Sequence, residues 1–71
     1  MRKFEIETIY KDHLESSSLR TKKEADKLFE EKKEEFKTNE EIKEISLFLV
    51  TLYDDKISKE PFERVERKNQ E

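Results

Sequence analysis

The stretch that decides the fold is EISLFLVTLY, residues 44–53, the most hydrophobic segment of the chain. Alternate side chains of a β-strand point to opposite sides of a sheet. One side of this strand carries Ile45, Leu47, Leu49, Thr51 and Tyr53, and the other side carries Phe48, Val50 and Leu52. A strand that is apolar on both sides is either covered on each side by other parts of the chain or has one side exposed for a partner.

Two further strand patterns and a helix pattern precede this segment. Residues 3–11 alternate, with Phe4, Ile6 and Tyr10 on one side, which predicts a half-buried strand. Residues 14–20 form either a more polar strand paired back on the first or a loop, because three serines, Ser16 to Ser18, interrupt the pattern.

The helix is predicted from its first turn. Thr21-Lys22-Lys23-Glu24 is a capping box, in which the threonine hydroxyl accepts from a backbone N–H and the glutamate reaches back. Apolar residues at helical spacing continue to about Lys37. Thr38-Asn39 is the predicted stop, since asparagine tolerates the left-handed conformation that ends many helices.

The segment after the long strand contains the second predicted hairpin. Asp54-Asp55-Lys56 reads as a turn into a short strand at about residues 56–60, which Pro61 interrupts or confines to a sheet edge. Phe62 and Val65 then belong either to a short closing helix or to an extension of the edge strand. Residues 67–71 are predicted to be a frayed tail.

These elements predict a two-layer α+β domain over residues 1–66. Their order, β-β-α-β-β, indicates two hairpins joined by one amphipathic helix, which packs on one face of an antiparallel sheet. One helix covers only one face. The second side of the long strand is therefore either buried by the chain's own Phe62 and Val65 or available to another molecule.

Composition narrows the function classes. Charged residues make up 49% of the 71 residues, a signature of disorder, but the periodic apolar positions favour a folded domain. The absence of cysteine excludes disulfides and thiol chemistry, and a net charge of −3 disfavours a non-specific nucleic-acid binder. The longest apolar run, Leu47 to Val50, is far too short to span a membrane, so we expect a soluble, cytoplasmic protein.

The chain also resembles a group of known proteins. TKKEADKLF, residues 21–29, lies between Tyr10-Lys11-Asp12 and the strand that begins Glu44-Ile45-Ser46. In this arrangement, over most of its length, the chain resembles small uncharacterised proteins of phages and prophages of low-GC bacteria. It departs from their pattern by having no glycine in either hairpin turn. The resemblance implies a small accessory or host-directed binding protein.

Residues with catalytic potential are few and scattered. His13 is the only histidine, and it lies in a predicted turn beside Asp12 and Glu15. The serines Ser16 to Ser18 have no glycine-framed elbow and no matched base. Paired carboxylates need an enclosed site to separate their pKa values, and a small single-layer sheet offers little concavity. We therefore expect no enzyme activity, no metal site and no cofactor.

The favoured function is binding to a protein. The candidate surface combines the second side of the long strand with acidic residues that imitate nucleic-acid phosphates. It comprises Phe48, Val50, Leu52, Glu30, Glu31, Glu34, Glu35, Asp54 and Asp55. The expected partner is a host or defence protein, such as a nucleic-acid enzyme, that the small protein occludes. A second copy of the chain is the other candidate occupant of the apolar side.

The alternative function is nucleic-acid binding by a C-terminal basic patch. Arg64, Arg67 and Lys68 would form it, and the nearby Glu60, Glu63 and Glu66 offset its charge. Nucleic acid is accordingly the less favoured partner.

Overall fold

A computed structural model describes residues 1–67 and shows the predicted α+β architecture. The elements are β1 (Arg2–Tyr10), β2 (Leu14–Leu19), α1 (Lys22–Thr38), β3 (Ile42–Tyr53) and β4 (Lys56–Glu66). The four strands form one antiparallel sheet in the order β2-β1-β3-β4. The sequence allowed either a strand or a loop for residues 14–20, and in the structure Leu14–Leu19 form the edge strand β2. No helix in the described residues is long and apolar enough to cross a membrane.

The core lies between α1 and the two central strands. Ala25 and Phe29 of the helix are buried against side chains of β1 and β3. The buried cluster consists of Ile6, Ala25, Phe29, Ile42, Ile45 and Leu47. Each large apolar side chain of this kind stabilises the fold by about 1.5–3 kcal/mol. Since the cluster uses only one side of β1 and β3, the helix leaves the other side of the sheet uncovered.

The two ends of α1 differ in how well the sequence predicted them. The Glu24 N–H donates to Thr21 Oγ at 3.2 Å, which confirms the threonine half of the capping box. The Glu24 carboxylate reaches back to the Thr21 hydroxyl, which donates to it at 3.0 Å, and not to the backbone N–H. The other end of α1 lies where predicted, at Thr38 with Asn39 as the C-cap, but Asn39 has φ −109°, so the predicted left-handed conformation is wrong. Asn39 is extended, and its side-chain oxygen accepts the Glu41 N–H at 3.0 Å, so an asparagine turn replaces the left-handed cap.

The last strand is longer than predicted. β4 continues through Pro61 to Glu66, so the edge extension is correct and the short closing helix is wrong. Leu47 pairs with Glu63 while Phe48 pairs with Pro61, which makes Phe62 an extra residue in a β-bulge. Proline has no N–H to donate. Because β4 is an edge strand that pairs with a neighbour on one side only, it needs fewer backbone N–H donors and accommodates Pro61 next to the bulge.

The hairpin between β3 and β4 turns at two aspartates. Asp54 and Asp55 have φ of 47° and 62°, the left-handed values that a tight two-residue hairpin turn requires. Aspartate adopts this conformation more readily than most residues, which explains how the turn forms without glycine. Tyr53 and Lys56 are consequently paired across the turn.

The folded part of the chain reaches Arg67, which the sequence placed in the frayed tail. The Arg67 N–H donates to Lys43 O at 3.0 Å, continuing the sheet by one residue. Its guanidinium lies over the Phe36 ring at 4.2 Å and donates to Phe36 O at 2.6 Å and to Asn39 O at 3.2 Å. These carbonyls lie at the end of α1, where intrahelical donors run out, so Arg67 caps the helix. The rest of the predicted tail, residues 68–71, lies outside the described residues.

We expect Arg67→Ala to lower the free energy of unfolding by about 1–3 kcal/mol, because it removes charged hydrogen bonds from partly buried carbonyls. Arg64→Ala is the matched control. Arg64 makes only exposed ion pairs, which are worth less than about 1 kcal/mol. Urea unfolding followed by circular dichroism measures both variants. Equal losses in the two variants would contradict the capping role.

Candidate functional site

We call the side of the sheet away from α1 the open face. Phe48, Val50 and Leu52 lie on it, because their neighbours Leu47 and Ile45 point into the core. Phe62 and Val65 do not cover it. The Phe62 ring lies 6.0 Å from that of Phe4, and both Val65 and Phe4 pack against the core on the helix side. The burial of the open face by the C-terminal segment, one of the two readings of the sequence, is therefore wrong.

Long charged side chains cover the centre of the open face instead. Val50 is only 4% exposed, and its cross-strand neighbours are Lys3 on β1 and Lys59 on β4. The Lys59 ammonium lies 4.4 Å from the centroid of the Phe48 ring. Lysine stems bury apolar surface while the ammonium stays in water, so Phe48 is half-buried without a second helix.

Two glutamates hold this lysine in place. Lys59 Nζ donates to Glu7 Oε2 and, at 3.2 Å, to Glu5 Oε1. The hydrogen bond to Glu7 is the main reason why the pKa of Lys59 is raised above 10.5, against the opposing effect of desolvation. Lys59 is therefore charged at neutral pH, and the three side chains form a small ion-pair network over the sheet centre.

An apolar corner remains at the hairpin end of the open face. Leu52 is half-buried, and its cross-strand partner Ile57 is 72% exposed. We call Phe48, Leu52 and Ile57 the hairpin patch. Sequence reasoning missed Ile57. The signal for it was the two-residue turn at Asp54 and Asp55, which sets the register and brings Ile57 opposite Leu52.

The structure divides the predicted acidic surface between two separate places. Glu30, Glu31, Glu34 and Glu35 are exposed on α1, on the other layer from the hairpin patch. Lysines one turn away pair with three of them: Lys33 with Glu30 at 3.1 Å, Lys37 with Glu34 at 3.4 Å and Lys32 with Glu35 at 3.9 Å. Only Asp54 and Asp55, in the turn after β3, are adjacent to the hairpin patch.

The predicted basic patch is not assembled within the described residues. Arg64 lies on the open face, where it donates to Glu44 at 2.7 Å and to Glu66 at 2.9 Å. Arg67 lies on the helix side and caps α1. The third member, Lys68, is outside the described residues. The two arginines therefore point to opposite sides of the sheet.

His13 takes part in an exposed cluster at the β1–β2 turn. Its ring stacks on Tyr10 at 4.3 Å with an interplanar angle of 7°. Nδ1 lies 2.6 Å from Asp12 Oδ1, and Nε2 lies 3.5 Å from Glu15 Oε2. These contacts fix the ring at the surface, and they do not enclose a reacting group. Across residues 1–67, no set of three or more histidine, aspartate or glutamate side chains is arranged to hold a metal ion.

Comparisons with known proteins add no relative: no protein-family model, no curated protein and no solved structure matches this chain. The class defined by the geometry is thus a small α+β domain with one covered and one open sheet face.

The hydrogen bond to Asp12 raises the pKa of His13 above its ordinary value of 6.5, and we expect an NMR titration of the ring to show this. Because the folded-state pKa is the higher one, the stabilising effect is complete below pH about 6.5 and is lost as the pH rises through the raised pKa. Asp12→Asn should return the pKa of His13 towards 6.5. Glu15→Gln is the control and should change it less, since that contact is longer. An unchanged pKa in Asp12→Asn would contradict this account.

Proposed function

We propose that the protein is a non-catalytic binding module that docks on a host protein through the hairpin patch and occludes part of that protein's surface. This is the mode of action of a phage-type inhibitor or accessory protein, in keeping with the resemblance noted from the sequence. The observation that carries the proposal is Ile57, a large apolar side chain 72% exposed beside the half-buried Leu52 and Phe48. Such a cluster at a surface is typical of an interface centre.

The surroundings of the patch favour a partner of a particular chemistry. Asp54 and Asp55 extend beyond it in the two-residue turn, and no lysine or arginine of residues 1–67 pairs with them. A complementary surface would offer an apolar pocket with basic side chains at its rim. The nucleic-acid-binding groove of an enzyme has such basic side chains, which supports a nucleic-acid enzyme as the occluded protein.

A second copy of the chain fits the patch less well. A two-fold dimer places each group near the axis against its own equivalent. An axis through the centre of the open face would bring Glu5 and Glu7, which lie there beside Phe48 and Ser46, close to the same glutamates of the other copy. A stable dimer also buries about 1,200–2,000 Å² in total, and three apolar side chains at one corner supply only a part of that area.

We expect Ile57→Asp to weaken the affinity for the partner by at least about 100-fold, because a carboxylate would then be buried in the apolar contact. Tyr53→Asp is the matched control. Tyr53 belongs to the same hairpin and is 61% exposed, but by alternation it points to the helix side. The test is capture of partners from the native cell with both variants and the wild type, with folding checked by circular dichroism.

Two results would overturn the proposal. One is a captured protein that Ile57→Asp retains as well as Tyr53→Asp does, or no captured protein at all. The other is a wild-type dimer in sedimentation equilibrium that Ile57→Asp dissociates, since the patch would then serve self-association. Loss of the partner in Ile57→Asp alone, with a monomeric wild type, supports the proposal.

A further inference from the structure

A cavity of about 560 Å³ opens at the corner of the sheet where β2 ends beside β1. The last paired residues of these strands are Leu19 and Phe4, so the first residues of β1 extend beyond the end of β2. The chain leaves the sheet there through Arg20 and enters α1 at Lys22. We call this cavity the notch. Its lining residues are Met1, Arg2, Lys3, Ser18, Leu19 and Arg20.

The notch is positively charged in a protein of net charge −3. Three of its lining residues, Arg2, Lys3 and Arg20, are basic, and none is acidic. Within residues 1–67, no carboxylate lies within 4.0 Å of these three cations. Lys59 and Arg64, in contrast, are engaged in ion pairs. The charge of the notch is therefore available to a ligand.

The backbone of β1 adds a donor to the notch. Met1 bonds to Leu52 on β3 through both its nitrogen and its carbonyl oxygen, at 2.9 and 2.8 Å. Neighbouring residues of a strand direct their N–H groups to opposite sides, so the Arg2 N–H is directed away from β3. On that side β2 has already ended, and the N–H points towards the notch.

We infer that the notch binds the phosphate group of a small phosphate monoester. Two guanidinium groups and a backbone N–H match the charge and the several acceptor oxygens of a phosphate dianion better than those of one carboxylate. Met1 and Leu19 offer apolar surface to the organic part of the ligand. The volume is also within the range of small-molecule pockets, about 300–1,000 Å³.

The surroundings favour a small ligand over a nucleic acid. A nucleic-acid strand needs a positively charged track several nucleotides long. Beyond the notch, charges of both signs alternate: Lys22 is paired with Asp26 on α1, and Glu5 follows Lys3 on β1. The notch is thus a single binding site for an anion. It shares no residue with the hairpin patch, although Met1 of the notch bonds to Leu52 of the patch.

The test is an NMR titration of the ¹⁵N-labelled full chain with adenosine monophosphate, inorganic phosphate and adenosine. We expect saturable shifts at the amides of Arg2, Lys3 and Ser18 to Arg20 with the two phosphates. The monophosphate should bind at least about tenfold more tightly than adenosine, because a charge-assisted contact is lost without the phosphate.

The double variant Arg2→Gln/Arg20→Gln should weaken monophosphate binding by at least about tenfold, since it removes both guanidinium groups. Lys56→Gln removes one exposed cation outside the notch and is the control; we expect less than about a twofold change, because screening weakens distant charges. The same spectra show whether each variant is folded.

Three outcomes would overturn the inference. The first is equal binding of adenosine and its monophosphate, and the second is affinity that the double variant retains. The third is binding of a single-stranded oligonucleotide without any saturable response to the monophosphate, which would assign the charge to a polyanion. None of these outcomes bears on Ile57, so the proposed protein-binding function is tested separately.

Discussion

The packing of α1 against the β1–β3 pair is the contact on which the rest of the structure depends. Phe29 is 2% exposed and lies among Ile6, Ile45 and Leu47, so it joins the helix to both central strands. No other helix is present in residues 1–67 to provide a second layer. All large buried clusters must therefore form on one side of the sheet, and the other side has to be made compatible with water by different means.

Charged side chains make this uncovered side of the sheet compatible with water. Lys3 and Lys59 flank Val50, and Glu5 and Glu7 hold Lys59 above the Phe48 ring. The lysine stems provide apolar contact and their ammonium groups provide hydration. The charged fraction of 49%, which by itself resembles that of a disordered chain, thus includes side chains that act as the second cover of the sheet. At the hairpin corner, which the lysines do not reach, Ile57 stays exposed.

The parts of the fold that were predictable from the sequence depend on local periodicity. The alternation in β1 and β3, the capping box at Thr21 and the turn at Asp54 and Asp55 all lie within a few neighbouring residues. The α+β class followed from these patterns and is confirmed. The position of the apolar side of β3 was also predictable, because alternation alone determines it.

The parts that were missed depend on contacts between distant residues. Lys59 meets Glu5 across 54 residues of sequence, and Arg67 meets Phe36 across 31. The bulge at Phe62 exists only because β4 pairs with β3, so no pattern around Pro61 alone distinguishes an edge strand from a break. The notch likewise requires the ends of β1 and β2 to meet. A hint was present, since residues 1–4 and 16–23 contain no acidic side chain.

The clasp of Arg67 on α1 also makes the end of the helix dependent on the end of the last strand. Phe36 and Asn39, whose carbonyls accept from the guanidinium, precede Arg67 by 31 and 28 residues in the sequence. Without Arg67, the Phe36 carbonyl loses this donor and the Phe36 ring loses its guanidinium cover. A chain shortened at the end of β4 therefore loses contacts at the end of α1 as well, although the two elements are far apart in the sequence.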